Sequence, residues 1–202
     1  MPSLKLQWQK EKNSTIKDKL KKIEIGTVIK QDISENLVNI AYLGIGSNLG
    51  NKKRNIDKAK YLLENDSIKI LTASSIYETY SWPNKNNPKF YNIVIKIITK
   101  LKPSELFIAV KNIEKKLGRK RAKINSPRIC DIDIIDYKGL SFSLNVNNNE
   151  LLIPHPKLQD RNFVLFPLFQ IEKNWIHPQK KTKIHNLIGN LDNSSLYSIK
   201  QI

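Results

Sequence analysis

The chain has 202 residues, with 35 Lys and Arg against 18 Asp and Glu, a formal charge of +17 and one cysteine. That length suits one domain with a real core rather than two, and the charge points to polyanionic partners such as nucleic acid, an anionic membrane or a nucleotide. The lone Cys130 excludes an internal disulfide, and no run approaches the roughly eighteen apolar residues of a membrane span, so a soluble protein of the reducing cytoplasm with no membrane attachment is expected.

Residues 1–39 alternate Lys, Glu, Asn and short apolar groups and carry a net charge of +3, so +14 belongs to the body of the chain rather than to a detachable basic tail. Much of the excess is Lys scattered among Asn and Ile, which biased codon usage produces as readily as a binding surface does. Between Asn13 and Ile25, the apolar Ile16, Leu20 and Ile23 fall at helical spacing. The segment reads as an N-terminal extension, disordered or weakly helical.

The core begins at Val38, where a buried strand runs through Ile40, Tyr42 and Leu43 into Gly44-Ile45-Gly46. The spacing Gly44-x-Gly46-x-x-x-Gly50 misses the dinucleotide fingerprint by one residue, and no Gly-Lys-Ser/Thr follows as a P-loop requires. Ser47-Asn48 is expected to cap a helix from Lys52 to Leu63 whose apolar face is Ile56, Ala59, Leu62 and Leu63. Ile68 to Tyr77 reads as a second strand, and the polar, proline-containing stretch 78–88 as a long loop with work to do. A third strand, Phe90 to Thr99, sets Phe90, Asn92, Val94 and Lys96 on one face and Tyr91, Ile93, Ile95 and Ile97 on the other. Asn92 beside Phe90 suits a surface pair or a pocket floor, and taken alone the pair reads as surface.

Pro103 opens a helix carrying Leu106, Phe107, Val110, Ile113, Glu114 and Leu117, and Gly118 ends it. Arg119-Lys120-Arg121-Ala122-Lys123 is a solvated turn or a phosphate clamp. Its position favours the clamp, because the same loop leads within a few residues to Arg128 and an acid pair. That pair lies in Cys130-Asp131-Ile132-Asp133-Ile134. On a strand, Asp131 and Asp133 project together, about 6.6 Å apart at their Cα atoms, while Cys130, Ile132 and Ile134 project into a core. Two carboxylates so placed bracket divalent cations or form the wet face of an amphipathic strand. Residues 137–149 look like a polar hairpin and Glu150 to Ile153 a short strand. His155, between Pro154 and Pro156, is held extended, and with no second ligand at zinc spacing it reads as structural. A polar start at Asp160 leads into the apolar helix through Phe163 and Leu168, and from Asn174 polar composition returns and ends the domain.

Taken in this order, the residues resemble the 6-hydroxymethyl-7,8-dihydropterin pyrophosphokinase family of folate biosynthesis. The likeness spans about Ile40 to Pro178 and rests on seven blocks: Gly44 to Gly50, Ser74 to Thr79, Phe90-Tyr91-Asn92, Ile113-Glu114 with Leu117-Gly118-Arg119, Pro127-Arg128 with Asp131-Ile132-Asp133, Ile153 to Pro156, and Arg161 to Leu165. The resemblance implies a ferredoxin-like α+β sandwich, mainly antiparallel, over residues 40–178, with a C-terminal tail at 179–202. It implies a monomer that moves the pyrophosphoryl group of ATP to the pterin hydroxymethyl, binding small molecules and neither nucleic acid nor membrane. It places two Mg²⁺ on Asp131 and Asp133, and Arg119 and Arg128 on the phosphates. It assigns nucleotide contacts to Glu114, Arg121, Ile134, His155, Pro156 and Arg161, and a pterin pocket to Thr79, Tyr80, Trp82, Phe90, Asn92 and Phe163.

The sequence departs from the family at Ile124-Asn125-Ser126, where an Arg-Trp-Gly is usual, so a lid aromatic and a basic contact are missing and Trp82 becomes the candidate for aromatic cover. Two other readings stand beside this one. An RNA-binding ferredoxin-like module would need a K/R-G-F/Y-G/A-F-V-x-F/Y strand, and Phe90-Tyr91-Asn92-Ile93-Val94 lacks its glycines and leading cation. An inactive relative kept for interaction is the other.

Overall fold

The computed structural model describes residues 38–81, 84–119, 126–147 and 149–202. Asn39–Ile202 form one compact unit. The helix expected between Asn13 and Ile25 lies outside the described residues, as do Trp82, Arg121 and Asn125.

The strand β1 (Asn39–Ser47) is flanked on both sides by antiparallel partners, β4 (Phe90–Thr99) and β5 (Asp131–Tyr137). Ten residues make β4 long enough to serve two further strands in series. Its C-terminal half pairs with β2 (Ile68–Ala73), and Phe90 to Asn92 pair with β3 (Tyr77–Thr79). β3 pairs in turn with β8 (Ile199–Gln201), completing a six-stranded sheet of order β5-β1-β4-β3-β8 with β2 beside β4. β6 (Phe142–Val146) and β7 (Asn149–Ile153) form a separate hairpin.

Strand alternation builds two cores. Ala41, Leu43, Ile45, Ile93, Ile95, Ile97, Ile132 and Ile134 face one side, under Ile56, Ala59 and Leu63 of α1 (Lys52–Leu63) and Leu106, Val110 and Ile113 of α2 (Pro103–Lys116). Tyr42, Val94 and Ile135 face the other, under Leu158, Val164, Leu165 and Leu168 around α3 (Asn162–Ile171), with Trp175, Ile184 and Leu187. This is the α+β sandwich expected, with helices on both faces of a mainly antiparallel sheet. Cys130 is fully buried at the base of β5, and burial pushes its thiol up to about 12, which makes it a packing residue rather than a nucleophile.

Three expectations are corrected. The strand read over Ile68 to Tyr77 is two strands, because Val94 N donates to Ser74 Oγ (3.0 Å) while Ser74 N donates to the Val94 carbonyl (2.9 Å). The hydroxyl stands in for a main-chain acceptor, so the chain leaves β2 and re-enters the sheet as β3. Helix α1 is capped by Asn51, whose side chain accepts from Arg54 N (3.0 Å), and not by Ser47 or Asn48.

The third correction is the tail at 179–202, which folds as α4 (Ile184–Gly189), α5 (Asn193–Tyr197) and β8. Ile184 and Leu187 are buried, together with Trp175 just before the segment, and each such side chain contributes about 1.5–3 kcal/mol. Asn162 Nδ2 ties the region down through the Ser195 carbonyl (2.6 Å) and Ser198 Oγ (3.1 Å).

A register shift between β1 and β5 at Tyr42/Leu43 turns both Ile135 and Asp136 to the second face. There Asp136 accepts from Trp175 Nε1 (2.7 Å) and Gly139 N (2.8 Å). Burial pushes its carboxyl above the ordinary range, and these two donors offset part of the rise.

Candidate active site

The acid pair opens β5. Asp131 and Asp133 sit opposite Gly46 and Gly44 of β1, on the sheet face away from buried Ile132 and Ile134. Arginines from three segments converge on them. Arg119, just past the C-terminus of α2, donates to Asp131 Oδ1. Arg128 donates to Asp131 Oδ2 at 2.9 Å, and Arg161, at the start of α3, to Asp133 Oδ2 at 3.3 Å. Burial alone would raise the Asp131 carboxyl, but Arg128, Arg119 and Lys111 together hold it below its ordinary value, so it stays ionised.

Glu114 supports this cluster from α2. It is 2% exposed and accepts from Ile132 N (2.7 Å), Lys111 Nζ (2.9 Å) and Arg119 NH1 (2.6 Å). Burial raises its carboxyl, and the surrounding donors only partly counter that rise. His155 accepts from Lys157 N at Nδ1 (3.1 Å), which assigns its hydrogen to Nε2. Burial and then Arg161 lower its pKa, against the pull of Asp133 and Asp131, so the ring is neutral at physiological pH.

A second set of side chains lies where β3, β4 and the end of β1 meet. Asn92 is 7% exposed and donates to Thr79 Oγ1 (3.0 Å), so it is a buried floor and not the surface residue that its strand position alone suggested. Gly46 permits this: a Cβ there would meet Asn92 Oδ1 at 3.0 Å and the Phe90 ring at 3.5 Å. Arg128 bridges both sets, since it lies over the Phe90 ring (5.8 Å), and Arg161 lies over the ring of Phe163 on α3 (5.5 Å). Tyr80 is half exposed, with Lys89 over its ring at 4.7 Å. Pro156 is exposed, its carbonyl accepting from Gln159 Nε2 (3.0 Å). The Ile134 side chain is 4% exposed and lies in the core beneath the opposite face, so it is the main chain of this residue that adjoins the acids.

The comparisons with known proteins bear on this arrangement. The family model for 7,8-dihydro-6-hydroxymethylpterin-pyrophosphokinase matches residues 42–173. This chain belongs to that family. The 2-amino-4-hydroxy-6-hydroxymethyldihydropteridine pyrophosphokinase of Aquifex aeolicus is 42% identical over 138 residues, 68% of this chain and 82% of that protein. The Bacillus subtilis protein of the same name is 36% identical over 134 residues, 66% of this chain and 78% of that one. The folic acid synthesis protein FOL1 of Dictyostelium discoideum is 40% identical over 155 residues; the match covers 77% of this chain but only 23% of that protein. Among solved structures, wild-type Plasmodium falciparum HPPK-DHPS superposes with a TM-score of 0.60 at 19% identity, covering 74% of this chain and 41% of that one, which supports the fold.

Residues beside this cluster that sequence reasoning missed are Gly46, Asn48, which bonds the Arg128 main chain, Ser81, which accepts from Asn48, and Lys111. Gly46 and Asn48 stood in the motif that carried the resemblance, but a glycine turn and a helix cap were sufficient local explanations for them. No periodicity marks Ser81, which is 3% exposed, or Lys111, whose ammonium also reaches the Ile132 carbonyl (3.4 Å).

Among the described residues no group of three or more His, Cys, Asp or Glu side chains gathers as a metal cage. A pair of carboxylates suits a hard cation that keeps most of its positions for water and substrate phosphate. Among the described residues Arg128 Nε is buried without a partner, a spare donor beside the pair. The residues therefore fit Mg²⁺ carried with a nucleotide phosphate.

Proposed function

We propose that the chain transfers the pyrophosphoryl group of ATP to the hydroxymethyl group of 6-hydroxymethyl-7,8-dihydropterin and releases AMP. The observation that carries the reading is the convergence of Arg119, Arg128 and Arg161 on Asp131 and Asp133, beside a buried Thr79–Asn92 floor. In the reaction the hydroxymethyl oxygen bonds to the β-phosphorus of ATP, the bond from that phosphorus to the bridging oxygen breaks, AMP leaves with that oxygen, and the hydroxyl proton is lost. Asp131 and Asp133 would hold Mg²⁺, which when bound neutralises phosphate charge.

The chain's own residues orient and exclude. Guanidinium groups that now donate to carboxylates suit phosphate oxygens equally well, so Arg119 and Arg128 are the pyrophosphate clamp, with Arg161 and neutral His155 at the nucleotide side. Glu114 acts through Arg119 rather than on substrate. Asn92 and Thr79 present polar atoms to the pterin edge, and Phe90 and Phe163 present rings to its face. No strong base is required, because positioning and electrostatics supply most of the barrier reduction in phosphoryl-type transfer.

The unit that does this is proposed to run from Asn39 through β8, to act as a monomer, and to take small molecules rather than nucleic acid. No described helix is long and apolar enough to cross a membrane, and a cytoplasmic site of action is proposed. The test is an assay with the pterin, ATP and Mg²⁺, scoring AMP against ADP. AMP is expected from the wild type, and Asp131→Ala and Asp133→Ala are each expected to lower turnover at least about a thousandfold with the fold intact. ADP as the product, or near-normal AMP formation in either variant, rejects the assignment.

A further inference from the structure

Asn48 follows β1 by one residue, is 2% exposed, and holds two segments at once. Its main-chain N–H donates to the Arg128 carbonyl (3.1 Å), and its Oδ1 accepts from Arg128 N (2.7 Å), so both main-chain polar groups of Arg128 are gripped by one residue. Its Nδ2 donates to the Pro88 carbonyl (3.1 Å) and to Ser81 Oγ (3.3 Å), and Ser81 Oγ donates to the same carbonyl (2.6 Å). Those partners are the two ends of the loop that leaves Thr79 and returns to Phe90. A carboxamide on a short stem is what this place requires: one oxygen to accept and one amide to donate twice. With Asn51 capping the helix, Asn48 has no capping duty.

We propose that Asn48 is a positioning residue that couples the two halves of the site, the pyrophosphate side through Arg128 and the pterin side through the base of the 81–88 loop. The inference rests on the pyrophosphokinase reading. Arg128 carries its guanidinium on Asp131 and over Phe90, with Nε unpartnered among the described residues. When that guanidinium turns to an anion, any shift of the Arg128 main chain draws on Asn48, and the buried amide passes it to the loop ends through bonds that are costly to leave unmade.

Asn48→Asp keeps the acceptor for Arg128 N but sets a carboxylate oxygen against the Pro88 carbonyl, so only the loop half is broken. Ser81→Ala loosens the same half while keeping the Asn48 side chain and its bonds to Arg128 and Pro88, and Asn48→Ala breaks both. With the full chain, kcat and the KM for ATP and for the pterin are measured below the melting transition. The pterin Kd is read by fluorescence with and without a non-hydrolysable ATP analogue and Mg²⁺. In Asn48→Asp and Ser81→Ala the pterin KM rises about tenfold, the effect of one buried hydrogen bond lost, while the ATP KM stays within about twofold. The analogue shifts the wild-type pterin Kd by about fivefold, and that shift disappears in Asn48→Asp. Asn48→Ala raises both KM values and lowers kcat. A lower melting temperature with both KM values unchanged, or equal rises of both in Asn48→Asp and Ser81→Ala, overturns the coupling. A wild type that forms no AMP removes the activity reading, whereas an unchanged analogue-induced Kd shift in Asn48→Asp removes the role of Asn48 alone.

Discussion

Replacing Glu114 separates the stabilising part of the acid–arginine cluster from its catalytic part. Glu114→Ala leaves the buried Ile132 N–H without an acceptor, a loss of about 1–3 kcal/mol, and takes one carboxylate from Lys111 and Arg119. Breaking a buried pair costs about 3–5 kcal/mol, but Arg119 keeps Asp131 and is 28% exposed, so the total is nearer ~3 kcal/mol. At about 2–4 °C per kcal/mol for a unit of this size, the melting temperature falls by about 6–12 °C. Glu114→Gln behaves differently. Its carbonyl still accepts from Ile132 N. Because burial is the largest influence on Glu114 and works against the charge, the neutral isostere forfeits less than about 1 kcal/mol. Turnover falls about tenfold in both variants, since Arg119 loses one of its two anchors and only a well-placed guanidinium serves the transition state. Thermal melts alongside AMP-formation kinetics check the pair. A Gln variant as unstable as the Ala variant, or one with wild-type kcat, would refute the reasoning.

Trp175→Phe removes the donor to Asp136 Oδ2 and pushes that carboxyl further up. The contribution of a group with a raised pKa is fully present below its ordinary value and lost as the pH rises through the raised one. The variant's deficit is therefore small near pH 4 and about 1–3 kcal/mol at pH 7, as paired denaturation curves will show. Deleting residues 198–202 strips β8 from β3 and removes the Ser198 partner of Asn162, so lower stability and faster amide exchange in β3 are expected by hydrogen exchange. Gly46→Ala presses a methyl group on Asn92 and Phe90, and a raised pterin KM with little change in the ATP KM is the expected kinetic signature. Removal of residues 1–38 leaves AMP formation intact, since each block of the family lies downstream, and a truncated chain with native circular dichroism but no activity would contradict this.

How much was legible varied with the range of the interaction. The period-2 pattern of β1, β4 and β5 and the helical faces of α1 and α2 follow from adjacent residues, so the α+β sandwich and the shared face of Asp131 and Asp133 could be read directly. The arginines could be named from the sequence, but only the folded chain shows Arg119 and Arg128 dividing one carboxylate while Arg161 takes the other. β8 was illegible for a specific reason: three residues, Ile199 to Gln201, carry no period, and what makes them a strand is an edge offered by Tyr77 to Thr79 more than a hundred positions away. The polar composition after Asn174 concealed Trp175, Ile184 and Leu187 in the same way, because a few well-spaced apolar side chains suffice where a sheet face already waits to be covered. Asn48 shows the limit most sharply. Local chemistry made it a helix cap, whereas its amide faces Ser81, Pro88 and Arg128. Local propensity is written in neighbouring residues, but the partners of a buried polar group are chosen by whichever distant segments the packed core brings within hydrogen-bond reach.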